Sequence, residues 1–87
     1  MFVILVYDAQ AIRDPKVLRT CRKYLDWIQN SVFEGELTEV KLKKLRTELS
    51  KIIDPKRDYI VCYAVESAGS VTRSTLGTPK TMEGNIF

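Results

Sequence analysis

One aspartate, Asp8, occupies a position in the sequence that suits metal chemistry. It follows the uninterrupted apolar run 2–7, FVILVY, which is typical of a central β-strand covered on both faces. A carboxylate at the carboxyl end of such a strand is held by a rigid element and still reaches solvent, which suits Mg²⁺ or Mn²⁺. The simpler interpretation is that Asp8 caps the turn after the strand. The sequence leaves both interpretations open.

A single carboxylate cannot hold a divalent cation tightly, and Asp8 has no acidic neighbour to help it. The next acidic residue along the chain, Asp14, is expected to cap a helix. In a two-fold symmetric homodimer, Asp8 of each copy would supply one ligand from a single sequence position. If Asp8 binds a metal, we therefore expect one Mg²⁺ or Mn²⁺ ion shared by two subunits.

The absence of histidine from the chain excludes several kinds of site. Histidine is the commonest general base, the partner of many Ser and Cys nucleophiles, and a frequent ligand of transition metals. Any chemistry must rest on carboxylates, hydroxyls, amines or a metal bound by oxygen. The two cysteines, Cys21 and Cys62, lack the spacing of metal ligands, and we expect them to be buried free thiols.

Positive charge is concentrated between residues 13 and 25. The chain has 14 Lys and Arg against 11 Asp and Glu, a net charge of +3. This segment alone holds five basic residues and one acid, Asp14. Such a concentration suits phosphate, although a solvated helix face would have the same composition. The five are Arg13, Lys16, Arg19, Arg22 and Lys23.

The aromatic residues are expected mostly in the core or at an interface. They form no Lys/Arg-Gly-Phe-Gly-Phe run of an RNA-recognition motif, so the sequence gives no support to base stacking on the sheet. Ser31, which has no histidine to activate it, could at most orient a phosphate or a water molecule. The aromatics considered are Tyr7, Tyr24, Trp27, Phe33, Tyr59 and Tyr63.

Two predicted elements carry the basic segment and the region after it. Asp14 and Pro15 mark a helix start, as an N-cap followed by an N1 proline. Apolar residues at helical spacing then continue to residue 25. The range 27–37 is rich in β-forming residues and is interrupted at 30–31, so it predicts two short strands or one strongly kinked strand.

The second half of the chain repeats this alternation. A second helix is expected to start at Thr38 and to stop at Asp54, because proline follows and disfavours helix there. A nearly all-apolar strand is expected over 58–65 and a short edge strand over 71–76. This order predicts an α+β fold, the ferredoxin-like βαββαβ sandwich with an extra C-terminal edge strand.

The predicted sandwich leaves one face of its sheet uncovered. Both helices lie on one face, while the other carries apolar side chains that need a cover. A second copy of the chain is the simplest cover, so we predict a homodimer. The sandwich is expected over 1–77, with a tail over 78–87 that is a candidate docking segment for a partner through Ile86 and Phe87. No stretch reaches bilayer length and no signal-peptide pattern is present, so we expect a cytoplasmic protein without membrane contact.

Two blocks of the sequence resemble a known family. The first is 2–8, FVILVYD, and the second is 27–37, WIQNSVFEGEL, which contains a Gln-x-Ser-Val-Phe-Glu run. Together with the two predicted helices and the strand over 58–65, they resemble CRISPR-associated protein two over residues 1–76. The pair of arginines that many members carry before the first helix is absent, which leaves the phosphate-contacting residues open.

The resemblance implies a ferredoxin-like homodimer that bridges two dimers of the CRISPR integrase, CRISPR-associated protein one. Such a protein binds DNA while new spacers are acquired. The resemblance implies that phosphate is contacted by the basic residues of the first helix and of the segment that leads into it. A non-catalytic ferredoxin-like protein that binds RNA or acts as a regulator is the alternative.

The resemblance also implies a Mg²⁺-dependent endonuclease that acts on single-stranded RNA or duplex DNA. Asp8 would then be the catalytic metal ligand. Tyr7 and Phe33 match positions that support this site, and Ser31 is assigned to the same supporting set. The scaffold and nuclease interpretations are compatible with each other.

Overall fold

Five strands and two helices make up the described part of the chain, residues 1–66 and 69–79 of a computed structural model. In chain order they are β1 (Phe2–Asp8), α1 (Asp14–Arg22), β2 (Asp26–Gln29), β3 (Val32–Glu36), α2 (Glu39–Ile52), β4 (Tyr59–Val65) and β5 (Val71–Gly77). The predicted elements are all present, and the range 27–37 forms two strands rather than one. Ile86 and Phe87 lie outside the described residues, so the docking role of the tail stays a prediction.

The sheet has the strand order β2-β3-β1-β4-β5, and every neighbouring pair is antiparallel. In the central strand β1, Leu5 is opposite Phe33 of β3 on one side and Cys62 of β4 on the other. Both helical connections, β1–α1–β2 and β3–α2–β4, therefore join parallel strands that have one strand between them. This is the predicted ferredoxin-like arrangement, with β5 added at the edge.

The core lies between the sheet and the two helices. Along β1 the side chains alternate, with Val3 and Leu5 fully buried and Ile4 and Val6 only half-buried, as the pleat of a strand requires. The fully buried apolar side chains come from both helices and three strands. They include Val3, Leu5, Phe33, Val17, Cys21, Leu45 and Leu49.

The helix ends follow local chemistry with one shift from the prediction. Thr38 caps α2, its hydroxyl accepting a hydrogen bond from the Lys41 amide at 3.1 Å. The α1 helix starts at Asp14 with Arg13 as its N-cap and no side-chain cap bond. Asp14 is therefore the first helical residue and not the predicted cap. In this position its negative charge still interacts favourably with the helix dipole.

The two cysteines are buried and free, as predicted. Burial raises the pKa of Cys21 to about 12 and that of Cys62 to about 11, so both stay protonated and unreactive at neutral pH. Neither of the helices described above is long and apolar enough to cross a membrane.

Candidate nucleic-acid interface and acidic site

Asp8 is the last residue of β1 and is exposed. It pairs with Tyr59 of β4 and, by strand alternation, projects from the sheet face opposite the helices. Residues 1–66 and 69–79 contain no group of three or more His, Cys, Asp or Glu side chains that could hold a metal ion. The carboxylate fits a metal ligand by its exposure and rigid support, but the described residues of this chain do not complete a site around it.

The residues predicted to support Asp8 lie on the other side of the sheet. Tyr7 is 4 % exposed, and its ring stacks on that of Phe33 with centroids 6.3 Å apart. The Tyr7 amide donates to the Ser31 carbonyl at 3.1 Å. Burial, and then the carboxylate of Asp14, raises the pKa of Tyr7, so its phenol stays protonated. The structure brings these three residues together, and Tyr7 directly precedes Asp8 along β1.

A second aspartate, Asp58, forms a buried cluster that the sequence did not reveal. It is fully buried, and its Oδ2 accepts from Arg13 Nε at 2.5 Å and from the Asp54 amide at 2.9 Å. Its Oδ1 accepts from the Gln10 amide at 2.9 Å and from Arg13 Nη2 at 3.2 Å. Burial by itself raises the pKa of Asp58, but these donors outweigh it and lower the pKa to about 2.

This cluster fixes the loop that follows Asp8. Gln10 and Arg13 belong to the β1–α1 connection, while Asp58 and Asp54 belong to the turn between α2 and β4. Arg13 also donates to the Gln10 side-chain oxygen at 2.8 Å. The guanidinium is thus occupied by protein acceptors, which favours a structural role for Arg13 over the predicted contact with nucleic acid.

The other four predicted basic residues of the first helix and its end do lie together. They line a groove of about 510 Å³ between α1 and the end of α2. Within the described ranges, Lys16 and Arg19 have no ion-pair partner, whereas Lys23 pairs with Glu48 at 2.5 Å. The groove is lined by Lys16, Arg19, Thr20, Arg22, Lys23 and Ile52. Such a concentration of positive charge suits a phosphate backbone.

The rim of this groove carries contacts that fix its shape. Tyr24 donates a hydrogen bond to the second carboxylate oxygen of Glu48, so Glu48 ties the end of α1 to α2. The Arg22 guanidinium lies over the Trp27 ring, 5.7 Å from its centroid. Trp27 is 48 % exposed, unlike Tyr7 and Phe33, which are in the core as expected.

Comparison with known proteins agrees with this arrangement. The family model described as CRISPR associated protein Cas2 matches residues 1–72. The chain belongs to the Cas2 family. A protein of Thermotoga maritima named CRISPR-associated endoribonuclease Cas2 is 46 % identical over 87 residues, the full length of both chains. A protein of the same name from Frankia alni is 49 % identical over 79 residues, 91 % of each chain.

Solved structures of other proteins share the fold. The crystal structure of Streptococcus pyogenes Cas2 at pH 6.5 superposes with a TM-score of 0.70 and 32 % identity, covering 76 % of this chain and 87 % of that one. A hypothetical protein from Thermus thermophilus superposes with a TM-score of 0.71 and 28 % identity, covering 76 % and 82 %. The resemblance drawn from the sequence is thus confirmed.

Within this Cas2 family member, the two candidate sites point to opposite sides of the sheet. Asp8 projects from the open face, whereas the groove is built on α1 in the helix layer. The sequence predicted the residues of both candidate sites but not the role of Asp58. Asp58 is the partner of Arg13, and the two residues are 45 positions apart in the chain. The one signal for it was an acidic residue placed directly before an apolar strand.

Proposed function

We propose that this Cas2 family member acts in CRISPR adaptation as a homodimer that bridges dimers of the spacer integrase and holds DNA by its phosphates. The groove on α1 is the observation that carries the proposal. Lys16, Arg19 and Arg22 are exposed there, and Lys23 adds a fourth cation. A surface of this kind binds nucleic acid without reading bases, because the contacts are made to phosphate oxygens.

The open face of the sheet supports the homodimer. Its centre is formed by half-buried apolar side chains of β1 and β4, among them Ile4 opposite Tyr63. Glu34 of β3 and Arg73 of β5 flank this centre on opposite sides. An apolar surface with acidic and basic margins is complementary to a second copy of itself, and burying it would remove it from water.

Binding of duplex DNA at several salt concentrations tests the groove. We expect Lys16→Glu with Arg19→Glu to weaken binding at least about 10-fold and to lower the salt dependence by the equivalent of about two phosphate contacts. Lys43→Glu with Lys44→Glu is the matched control, because it makes the same change in net charge on an exposed part of α2 outside the groove. Equal losses in both variants would contradict the groove as the binding site.

The position of Asp8 favours a second activity, metal-dependent cleavage of single-stranded RNA or duplex DNA. The curated relatives named above are called endoribonucleases, which gives RNA as the first substrate to test. Mg²⁺ or Mn²⁺ held by Asp8 of both subunits would polarise the scissile phosphate and activate a water molecule. The chain contributes a carboxylate fixed at a strand end, while the Asp58 cluster holds the loop that follows it.

Cleavage assays on both nucleic acids, with and without Mg²⁺, test this activity. We expect Asp8→Asn to lower cleavage by about 100-fold or more, since it removes a ligand of the metal. Asp26→Asn changes another exposed aspartate, the first residue of β2, and should retain activity. Cleavage that survives Asp8→Asn would assign the activity to a contaminant and leave the scaffold role alone.

The two roles separate in cells that acquire spacers. If bridging and DNA binding are the physiological function, Asp8→Asn should acquire spacers at the native frequency. The double groove variant, Lys16→Glu with Arg19→Glu, should lose acquisition. Loss of acquisition in Asp8→Asn would mean that cleavage is required, or that Asp8 is needed for the dimer.

A further inference from the structure

Trp27 has surroundings that neither the DNA-bridging role nor the acidic site explains. It is opposite Phe33 in the pairing of β2 with β3, so its side chain leaves the sheet on the helix side. Because β2 is an edge strand, α1 covers the ring only in part, and 48 % of the residue stays exposed. A large aromatic side chain left open beside a charged groove is an unusual use of a residue that commonly packs in cores.

The ring is held in one orientation by two contacts. Its Nε1 donates to the Asn30 carbonyl at 2.9 Å, across the turn of the β2–β3 hairpin. Asn30 has φ of 45°, the left-handed conformation that asparagine tolerates in tight turns. The Arg22 guanidinium lies over the ring at 5.7 Å from its centroid. A side chain that is already ordered loses little entropy when a ligand stacks on it.

Arg22 links this ring to the phosphate-binding groove. Arg22, whose guanidinium lies over Trp27, is also one of the residues that line the groove with Lys16 and Arg19. An aromatic ring next to a row of cations is the combination that proteins use for single strands, in which bases stack and phosphates follow the positive charge. A hydrophobic protein partner would instead be matched by a wider apolar patch.

We propose that Trp27 and Arg22 form a stacking site for one unpaired nucleobase of a single strand whose phosphates lie in the α1 groove. This rests on the proposed binding of nucleic acid by that groove. It adds an unpaired base to the groups that the protein binds. Phosphate contacts alone do not distinguish a single strand from a duplex, whereas a stacked base does. Stacking accepts any base, because every base has a flat π-face.

The chain contains one tryptophan, so its fluorescence reports on this site alone. The native protein is titrated with a single strand of about ten nucleotides and with a strand of equal length and charge that has abasic sugars. We expect the strand with bases to quench Trp27 emission and to bind at least about 5-fold more tightly. The abasic strand should bind through the groove with little quenching.

Variants of Trp27 and Arg22 test whether these two residues cause the tighter binding of the strand with bases. Trp27→Leu should bind the strand with bases no better than the abasic strand, while Trp27→Phe keeps part of the preference. Arg22→Lys, which keeps the charge but not the flat guanidinium, should also reduce the preference. All three should retain the native salt dependence within the equivalent of about one phosphate contact. Far-UV circular dichroism checks that each variant is folded.

The outcomes separate this inference from the proposed function. If native protein binds both strands equally and Trp27→Leu changes neither, stacking is refuted while binding by the groove stands. If native protein binds neither strand nor duplex DNA, the proposed function itself fails. If Trp27→Leu binds both strands normally but loses binding to the integrase, the ring belongs to a protein interface, and the stacking site is again refuted.

Discussion

Asp8 and Asp58 lie at the same end of the sheet and have opposite surroundings. Asp8 ends β1 opposite Tyr59, and Asp58 directly precedes Tyr59 on the neighbouring strand β4. Asp8 is exposed on the open face. Asp58 is fully buried, and its carboxylate accepts bonds from Arg13, Gln10 and the Asp54 amide.

The difference shows how two identical side chains acquire different roles. A buried carboxylate must have its charge and its lone pairs compensated by the protein, and Asp58 achieves this with four hydrogen bonds. Its donors are then fixed and unavailable to a ligand. A carboxylate exposed on a rigid strand keeps oxygen atoms within reach of a cation. Asp58 therefore determines the structure around the site, while Asp8 is suited to chemistry.

Replacing Asp58 should have the largest effect on stability. Asp58→Ala leaves the Arg13 guanidinium and two backbone amides without their acceptor, and removal of one member of a buried charge pair costs about 4 kcal/mol. We expect the free energy of unfolding to fall by about this amount. Urea denaturation at a fixed protein concentration measures it, since dimerisation would make stability depend on concentration.

The milder change Asp58→Asn keeps the size of the side chain and protects the experiment against complete unfolding. It retains an amide oxygen for some of the donors but loses the charge that Arg13 faces. We expect a smaller loss than in Asp58→Ala. Native stability in both variants would show that the cluster does not hold the loop after Asp8.

Gly77 lies against the backbone of Asp58, so replacing it tests how tightly that backbone is packed. It has φ of 85°, and a Cβ added there would lie 1.9 Å from the Asp58 carbonyl oxygen. That oxygen also accepts a hydrogen bond from the Thr78 amide at 2.9 Å. Gly77→Ala should therefore lower the free energy of unfolding by about 3 kcal/mol. Gly69 also has a positive φ of 89°, but an added Cβ there meets nothing within 4 Å, so Gly69→Ala is the matched control, with a smaller loss.

Acid should weaken the Asp58 cluster by protonating its carboxylate. The pKa of Asp58 is lowered to about 2 from its ordinary 3.8, so the cluster contributes fully above about pH 4 and is lost as the pH falls towards 2. The contribution is about 2 kcal/mol. Denaturation of the native protein and of Asp58→Asn, each at about pH 5 and about pH 2.5, isolates it. If both proteins lose the same stability on acidification, the pKa of Asp58 is not lowered by its partners.

The sequence predicted most of the fold because its signals are local. The apolar run of β1, the Thr38 cap and the proline after Asp54 each act within a few residues, and they set the order of elements. The order was sufficient to identify the ferredoxin-like sheet, since few topologies join such elements by right-handed crossovers.

What the sequence could not predict depends on contacts between distant residues. Arg13 was assigned to nucleic acid because its neighbours are basic, yet its partner Asp58 lies 45 residues away. The exposure of Trp27 follows from the place of β2 at the edge of the sheet, which no local pattern encodes. The place of Asp8 at the end of the first strand was predicted. Its surroundings in the proposed dimer depend on a second chain.

The smallest effect on stability is expected for Asp8→Asn. Because Asp8 is exposed and asparagine has the same shape, the free energy of unfolding should change by less than about 0.5 kcal/mol. Urea denaturation under the conditions used for Asp58→Ala gives the direct comparison. A loss comparable to that of Asp58→Ala would make Asp8 structural and remove the contrast between the two aspartates.

The sign of this small change carries information about the dimer. If the proposed interface brings two Asp8 carboxylates together, they repel each other without a cation, and removing both charges should strengthen the dimer slightly. Mg²⁺ should then strengthen the native dimer and have no effect on the variant, because only the carboxylates bind it. Sedimentation at several protein concentrations, with and without Mg²⁺, measures both effects. An equal response of the two proteins to Mg²⁺ would place the two Asp8 side chains apart and end the case for a shared ion.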